Sequence, residues 1–157
     1  MSDNNFSNIG VLLAASTTQR EEVKMRRLRV TDPNLSAAWR RKASLEALLE
    51  AYGSAAKKHH AANLVGDWRT GNPQATIVFA IYRELRRRGL EAQRALLSLL
   101  DEEDLGIRLW TAAHALEFDP DRGIPILEEL AKTAPWPENF NAGMTLKLWK
   151  KGELSFP

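Results

Sequence analysis

The chain has 157 residues, 44% of them apolar and 27% charged, and its 22 basic and 20 acidic side chains leave a net charge of only +2. That length suits one compact core that buries roughly two-thirds of the surface its unfolded chain exposes. The complete absence of cysteine excludes disulfide frameworks, thiol nucleophiles and cysteine-ligated zinc, and three histidines are few for a histidine metal site, so neither a metal nor another cofactor is expected.

Residues 1–31 open with a Ser/Asn/Asp run, pass through a short apolar stretch over 9–15 and end in a mixed-charge segment from Arg20 to Arg29. The apolar stretch is about a third of the ~20 residues that crossing a bilayer requires. Asp3 precedes it and no Lys or Arg does, whereas a secretory leader begins with positive charge. The expectation is a cytoplasmic protein without membrane contact, with 1–31 a partly disordered extension and 32–157 a single helical domain.

From Asp32-Pro33 the signals are helical, because an Asp cap followed by Pro at the first helical position is a common helix start. Leu35, Trp39, Leu45, Leu48, Leu49, Tyr52 and Ala56 recur at near-helical spacing as far as His59-His60, with Gly53 a soft spot within the helix. Asn72-Pro73 repeats the cap chemistry, which predicts a Gly-bounded loop over 65–72 and a helix through Ile77, Phe79, Ile81, Tyr82 and Leu85 that ends at Gly89. Arg86, Arg87 and Arg88 fall in its last turn, where they complement the negative end of the helix dipole.

A short helix follows over 90–100. Asp101, Glu102, Glu103 and Asp104 then supply carboxylates to start a helix over 105–118 that is apolar almost all round and is therefore expected to be central. Asp119-Pro120 leads into a helix over 122–134 with Ile124, Leu127 and Leu130 on one stripe, stopped by Pro135 and Pro137. The last helix, over 138–151, aligns Phe140, Met144 and Leu148 and closes at Gly152, after which Leu154, Phe156 and Pro157 are placed to fold back as an apolar clasp.

About six helices and no sustained period-two alternation make the chain all-α. Sliding it by 31 residues lays Phe79, Ala80 and Leu85 on Trp110, Thr111 and Leu116, and Ala95, Leu96 and Leu99 on Ile126, Leu127 and Leu130. A period near thirty with two helices per unit predicts a solenoid of stacked antiparallel helix pairs.

Two resemblances add to this reading. Asp101-Glu102-Glu103-Asp104, Ile107-Arg108 and Ala112-Ala113-His114-Ala115-Leu116, followed by Asp119 and the run 124–130, resemble the short HEAT-like repeat of the phycobilisome-lyase type. Residues 45–157 resemble a small bacterial family of HEAT-like helical proteins of unknown function. That likeness rests on the runs 81–89, 113–118 and 125–130, and on Met144-Thr145-Leu146 with Trp149, Lys151 and Gly152. It implies a short α-solenoid and assigns no catalytic residue.

Charge is unevenly spread. Residues 1–95 hold 16 basic and 9 acidic side chains, whereas 96–157 hold 6 and 11, a pattern suited to steering an oppositely patterned partner. The candidate partner-binding residues are Trp68 and Arg69, a pair of types enriched at interface hot spots, together with His59, His60, Arg86 and Arg87. Asp101 and Asp104 are read as helix-capping residues, His114 as a core residue, and Arg108 as the partner of a carboxylate in an adjoining acidic turn. Adjacent histidines lie about 100° apart on a helix, the wrong spacing for joint metal binding.

The resulting expectation is a non-catalytic protein-binding helical-repeat domain, with neutralisation of a cognate bacterial toxin, the task of an immunity protein, as its role. The alternative is a nucleic-acid-binding helical repeat that uses Arg40-Arg41-Lys42, Lys57-Lys58 and Arg86-Arg87-Arg88 on phosphates.

Overall fold

The computed structural model describes residues 36–157, and every regular element in that range is helical. The extension over 1–31 and the Asp32-Pro33 cap lie outside the described residues. The described residues form seven α-helices: α1 (Ala37–Lys42), α2 (Leu45–Leu64), α3 (Trp68–Arg88), α4 (Leu90–Ala95), α5 (Leu105–Phe118), α6 (Pro120–Thr133) and α7 (Glu138–Lys151). A 3-10 segment, Leu96–Asp101, lies between α4 and α5. The all-α expectation therefore holds. The described residues divide into two compact units, 36–95 and 96–156, at the position where the sequence changes from basic to acidic. None of the described helices is long and apolar enough to cross a membrane.

Three local boundaries differ from the sequence reading. The helix expected from Asp32 to His60 breaks at Ala43-Ser44, because the Ser44 hydroxyl accepts the Ala47 N–H at 3.1 Å and starts a new helix, just as Ser36 caps α1 through Trp39 at 2.9 Å. The loop expected over 65–72 contracts to residues 65–67, since Asp67, and not Asn72, caps α3 by accepting from Thr70 N–H. Pro73 sits as the sixth residue of that helix, where it removes only the bond that its missing N–H would make to the Arg69 carbonyl. The helix expected over 90–100 is α-helical only to Ala95 and then tightens to 3-10 geometry.

In the unit 36–95, α2 and α3 run antiparallel through that three-residue turn, in which Gly66 takes φ +70°, a conformation open to glycine and costly for most other residues. Leu48, Tyr52 and Ala56 of α2 and Val78, Ile81, Tyr82 and Leu85 of α3 are all buried, and the two helices pack on each other. Gln93 on α4 donates to the Tyr82 hydroxyl at 3.1 Å, so the buried phenol is satisfied.

In the unit 96–156, α5 buries ten of its fourteen residues against the 3-10 segment, α6 and α7, as its all-round apolarity predicted. Gly123 on α6 faces the alanine-rich run of α5 so closely that a Cβ there would stand 2.6 Å from the Ala112 carbonyl oxygen and 3.3 Å from the Ala115 Cβ. The last helix is a correction. Its packed face consists of Glu138, Asn141, Ala142, Thr145 and Leu146, whereas Phe140 is exposed and Met144 and Leu148 are only half-buried. Thr145 makes that face possible by donating its hydroxyl to the Asn141 carbonyl at 2.8 Å. Phe156 folds back as expected, edge-on to Trp149 at 6.4 Å.

Because the atom facing Gly123 is main-chain oxygen and cannot rotate away, Gly123→Ala should destabilise by about 2 kcal/mol, read as a fall of roughly 4–8 °C in the thermal midpoint. Among the described residues the buried Thr111 hydroxyl has no hydrogen-bond partner. Thr111→Val, which removes that desolvated polar atom and keeps the shape, should stabilise by about 1 kcal/mol in denaturant titrations.

Candidate interaction surface

The six candidate partner-binding residues do not form one surface. Trp68 and Arg69 open α3, whereas Arg86 and Arg87 close it. At 1.5 Å per residue these pairs lie about 27 Å apart along the helix. His59 belongs to neither group. It is 1% exposed, sealed where α2 crosses α3, with the Asn63 amide nitrogen 3.2 Å from its Nε2 and Gly71 of α3 immediately opposite. Its assignment as a partner contact is therefore corrected to a helix-crossing residue, while His60 beside it is half-buried.

At the opening end, the tight turn leaves three large apolar side chains in solvent: Leu64 is 56% exposed, Val65 79% and Trp68 52%. The Arg69 guanidinium lies 5.3 Å from the centre of the Trp68 ring, within range of a cation–π attraction. The Asp67 carboxyl is held below the usual carboxylate range by the hydrogen bonds it accepts from Thr70. Trp68 and Arg69 stand out in the sequence as a side-chain pair. Leu64 does not, because it continues an apolar helical pattern and only the early end of α2 exposes it.

At the closing end, Glu84 organises the arginines. It is 6% exposed, and its Oε2 accepts from Arg87 Nε at 2.9 Å while its Oε1 accepts from an Arg87 terminal nitrogen at 2.7 Å and from Arg88 Nε at 3.0 Å. The Arg87 hydrogen bonds, followed by those of Arg88, hold its carboxyl below its ordinary range against the opposing effect of burial. Arg88 then reaches α1 and donates to the carbonyls of Arg40 at 2.8 Å, Arg41 at 3.3 Å and Ala43 at 2.7 Å. Arg86 lies over the Tyr82 ring at 5.3 Å. The basic run is thus built into the fold, and its dipole role is only part of the account. Glu84 gave no signal in the sequence, being one acidic residue among arginines.

The remaining structural assignments lie in the unit 96–156. Asp104 caps α5 by accepting from Ile107 N–H at 3.0 Å, whereas Asp101 ends the 3-10 segment as an exposed residue. His114 is fully buried, its ring 5.8 Å from that of Trp110. Arg108 pairs with Glu129 of α6 at 3.1 Å. This corrects the expectation of a partner from an acidic turn: the packing of α5 on α6 brings a helix-face carboxylate nearer. Among the described residues no group of three or more His, Asp or Glu side chains is placed to hold a metal ion.

Removing the Glu84 charge should loosen α1 and destabilise the protein. Glu84→Gln should cost about 2 kcal/mol at pH 7. The sign with pH follows from the depressed folded-state pKa: the contribution is complete above the unfolded carboxyl's value and disappears as pH falls through the folded one. The gap between wild type and Glu84→Gln in denaturant midpoints should therefore close as pH is lowered from 7 towards the acid range.

Comparison with known proteins agrees with this architecture. Residues 54–149 match the model of a family described as a domain of unknown function (DUF2019). The structure is similar to the crystal structure of the protein RPA1889 from Rhodopseudomonas palustris CGA009, with a TM-score of 0.68 and 24% sequence identity over 71% of this chain and 93% of that one, a likeness of fold. No curated protein matches the sequence. With more than half of its length covered by that family model, the chain belongs to the DUF2019 family.

Proposed function

We propose that the chain is a non-catalytic protein-binding domain that docks through the turn between α2 and α3, and that its partner is a cognate bacterial toxin which it neutralises. The observation that carries the reading is the exposure of Leu64, Val65 and Trp68 together on one tight turn, braced by Arg69. A large exposed apolar side chain beside an arginine is the composition of an interface hot spot. The HEAT-like, stacked-pair organisation belongs to the same proposal. In its support, the 31-residue offset lays Phe79 on Trp110, Leu85 on Leu116 and Leu96 on Leu127, each of which is buried.

The toxin role rests on analogy and on a physical economy: blocking an active site needs surface and charge complementarity and no chemistry. The described part of the first unit, with 11 basic and 5 acidic side chains over 36–95, suits a partner with an acidic docking face. The same charge favours the second reading, a nucleic-acid-binding repeat. Against it, Arg87 and Arg88 are already engaged by Glu84 and by backbone carbonyls.

The test is co-expression with the toxin-domain product of an adjacent reading frame. The wild-type chain should restore growth and form a complex with it, and Trp68→Ala should weaken that complex by roughly thirtyfold, equivalent to about 2 kcal/mol, without changing the thermal midpoint. Absence of rescue, or rescue that survives Trp68→Ala and Val65→Ser together, overturns the proposal. Duplex DNA binding whose affinity falls linearly with log salt would favour the second reading instead.

A further inference from the structure

At the end of α3 the arginines are engaged by the Tyr82 ring, by Glu84 and by backbone carbonyls. The outward face of α2 is different. Glu50, Ser54, Lys57, Lys58 and Ala61 are exposed along it and Ala47 is half-buried, and among the described residues Glu50, Lys57 and Lys58 join no ion pair.

Opposite charges on one helix face support each other when they stand three or four residues apart. Here those positions are withheld. Ser54 stands four residues after Glu50 and four before Lys58, Gly53 stands three after Glu50 and four before Lys57, and Glu46 stacks like charge on Glu50. Glu50 and Lys57 are about 10 Å apart along the helix, too far for direct pairing. The helix dipole does not account for them, because both lie inside the terminal turns of α2, beyond the reach of its effect.

The pattern is instead symmetric about Ser54. Ala47 precedes it by seven positions and Ala61 follows by seven; Glu50 precedes it by four, and Lys57 and Lys58 follow by three and four. A second α2 laid antiparallel on this face therefore sets Ala47 against Ala61 and Glu50 against Lys57 and Lys58, twice over, with Ser54 at the two-fold axis. A parallel arrangement would set Glu50 on Glu50. Such self-complementarity is what an isologous contact requires, and the small side chains of Ala47, Ser54 and Ala61 let two helices come close.

We infer that the partner of this face is a second copy of the chain, bound as an antiparallel pair of α2 helices. A 20-residue helix offers a strip about 30 Å long and 10 Å wide, well below the roughly 800 Å² per partner of a standard interface, so the dimer is weak and forms at high protein concentration. It places the two Trp68 turns at opposite ends of the pair, about 30 Å apart along it. The inference does not depend on what those turns bind.

Sedimentation velocity of the full chain across roughly 10 µM to 1 mM at low salt tests it. The expected result is a monomer that passes to a dimer within that range. Glu50→Lys, and Lys57→Glu with Lys58→Glu, should each weaken the dimer by at least about tenfold without moving the thermal midpoint. An equimolar mixture of the two variants should restore it, because each then meets opposite charge. A monomer throughout overturns the inference, as does a dimer that the mixture fails to restore. A dimer indifferent to both reversals but lost on Trp68→Ala also overturns it and assigns self-association to the docking turn. If the double reversal loses its helical spectrum, Lys58→Glu alone takes its place in the mixture.

Discussion

One buried carboxylate governs the basic unit. Glu84 lies among arginines on a helix that is otherwise apolar where it faces the core, and charge in such a position is tolerated only when its oxygens are fully engaged. Arg87 and Arg88 engage them. The same Arg88 carries the interaction outward to three carbonyls at the end of α1, so a six-residue helix too short to be stable alone is anchored by an ionic relay that begins inside α3.

The second unit is held by contrasting means. There the organising feature is the absence of side-chain bulk: Gly123 admits the backbone of α5 to within contact distance, and the alanines at 112 and 115 present little to keep α6 away. Close approach multiplies dispersion contacts along the helix pair and leaves Arg108 and Glu129 to pair at its edge. One unit is thus tied by charge and the other by fit, which parallels the change from basic to acidic composition at residue 95.

Much of this was legible in order along the chain. The helices over 105–118 and 138–151 have the bounds expected from capping residues and from Gly152, since those signals are local and short-ranged. The misplaced boundaries share a cause. Pro73 resembles a helix start, yet Asp67 six residues earlier had the better cap geometry, and eleven buried residues in α3 outweigh the single bond that proline forfeits. Ser44 resembles a mid-helix serine until its hydroxyl is seen on the Ala47 N–H. On α7 the apolar stripe Phe140-Met144-Leu148 was the obvious core face, but the buried face is the one that carries Asn141, Ala142 and Thr145, whose polar groups are partly satisfied by the Thr145 bond to the Asn141 carbonyl.

The candidate surface divides in the same way. The amino-acid order alone determined that the chain is helical, that its charge separates into a basic and an acidic part, and that Trp68 and Arg69 stand side by side, for each of these depends on neighbours within a few residues. Only the tertiary structure decided that His59 is sealed inside a helix crossing, that Leu64 joins Trp68 in solvent, and that Arg88 meets carbonyls 45 and 48 positions away at the end of α1. Those outcomes depend on which faces of distant helices meet, and the free energy that selects the pairing is summed over whole interfaces, so it is not written in any one segment.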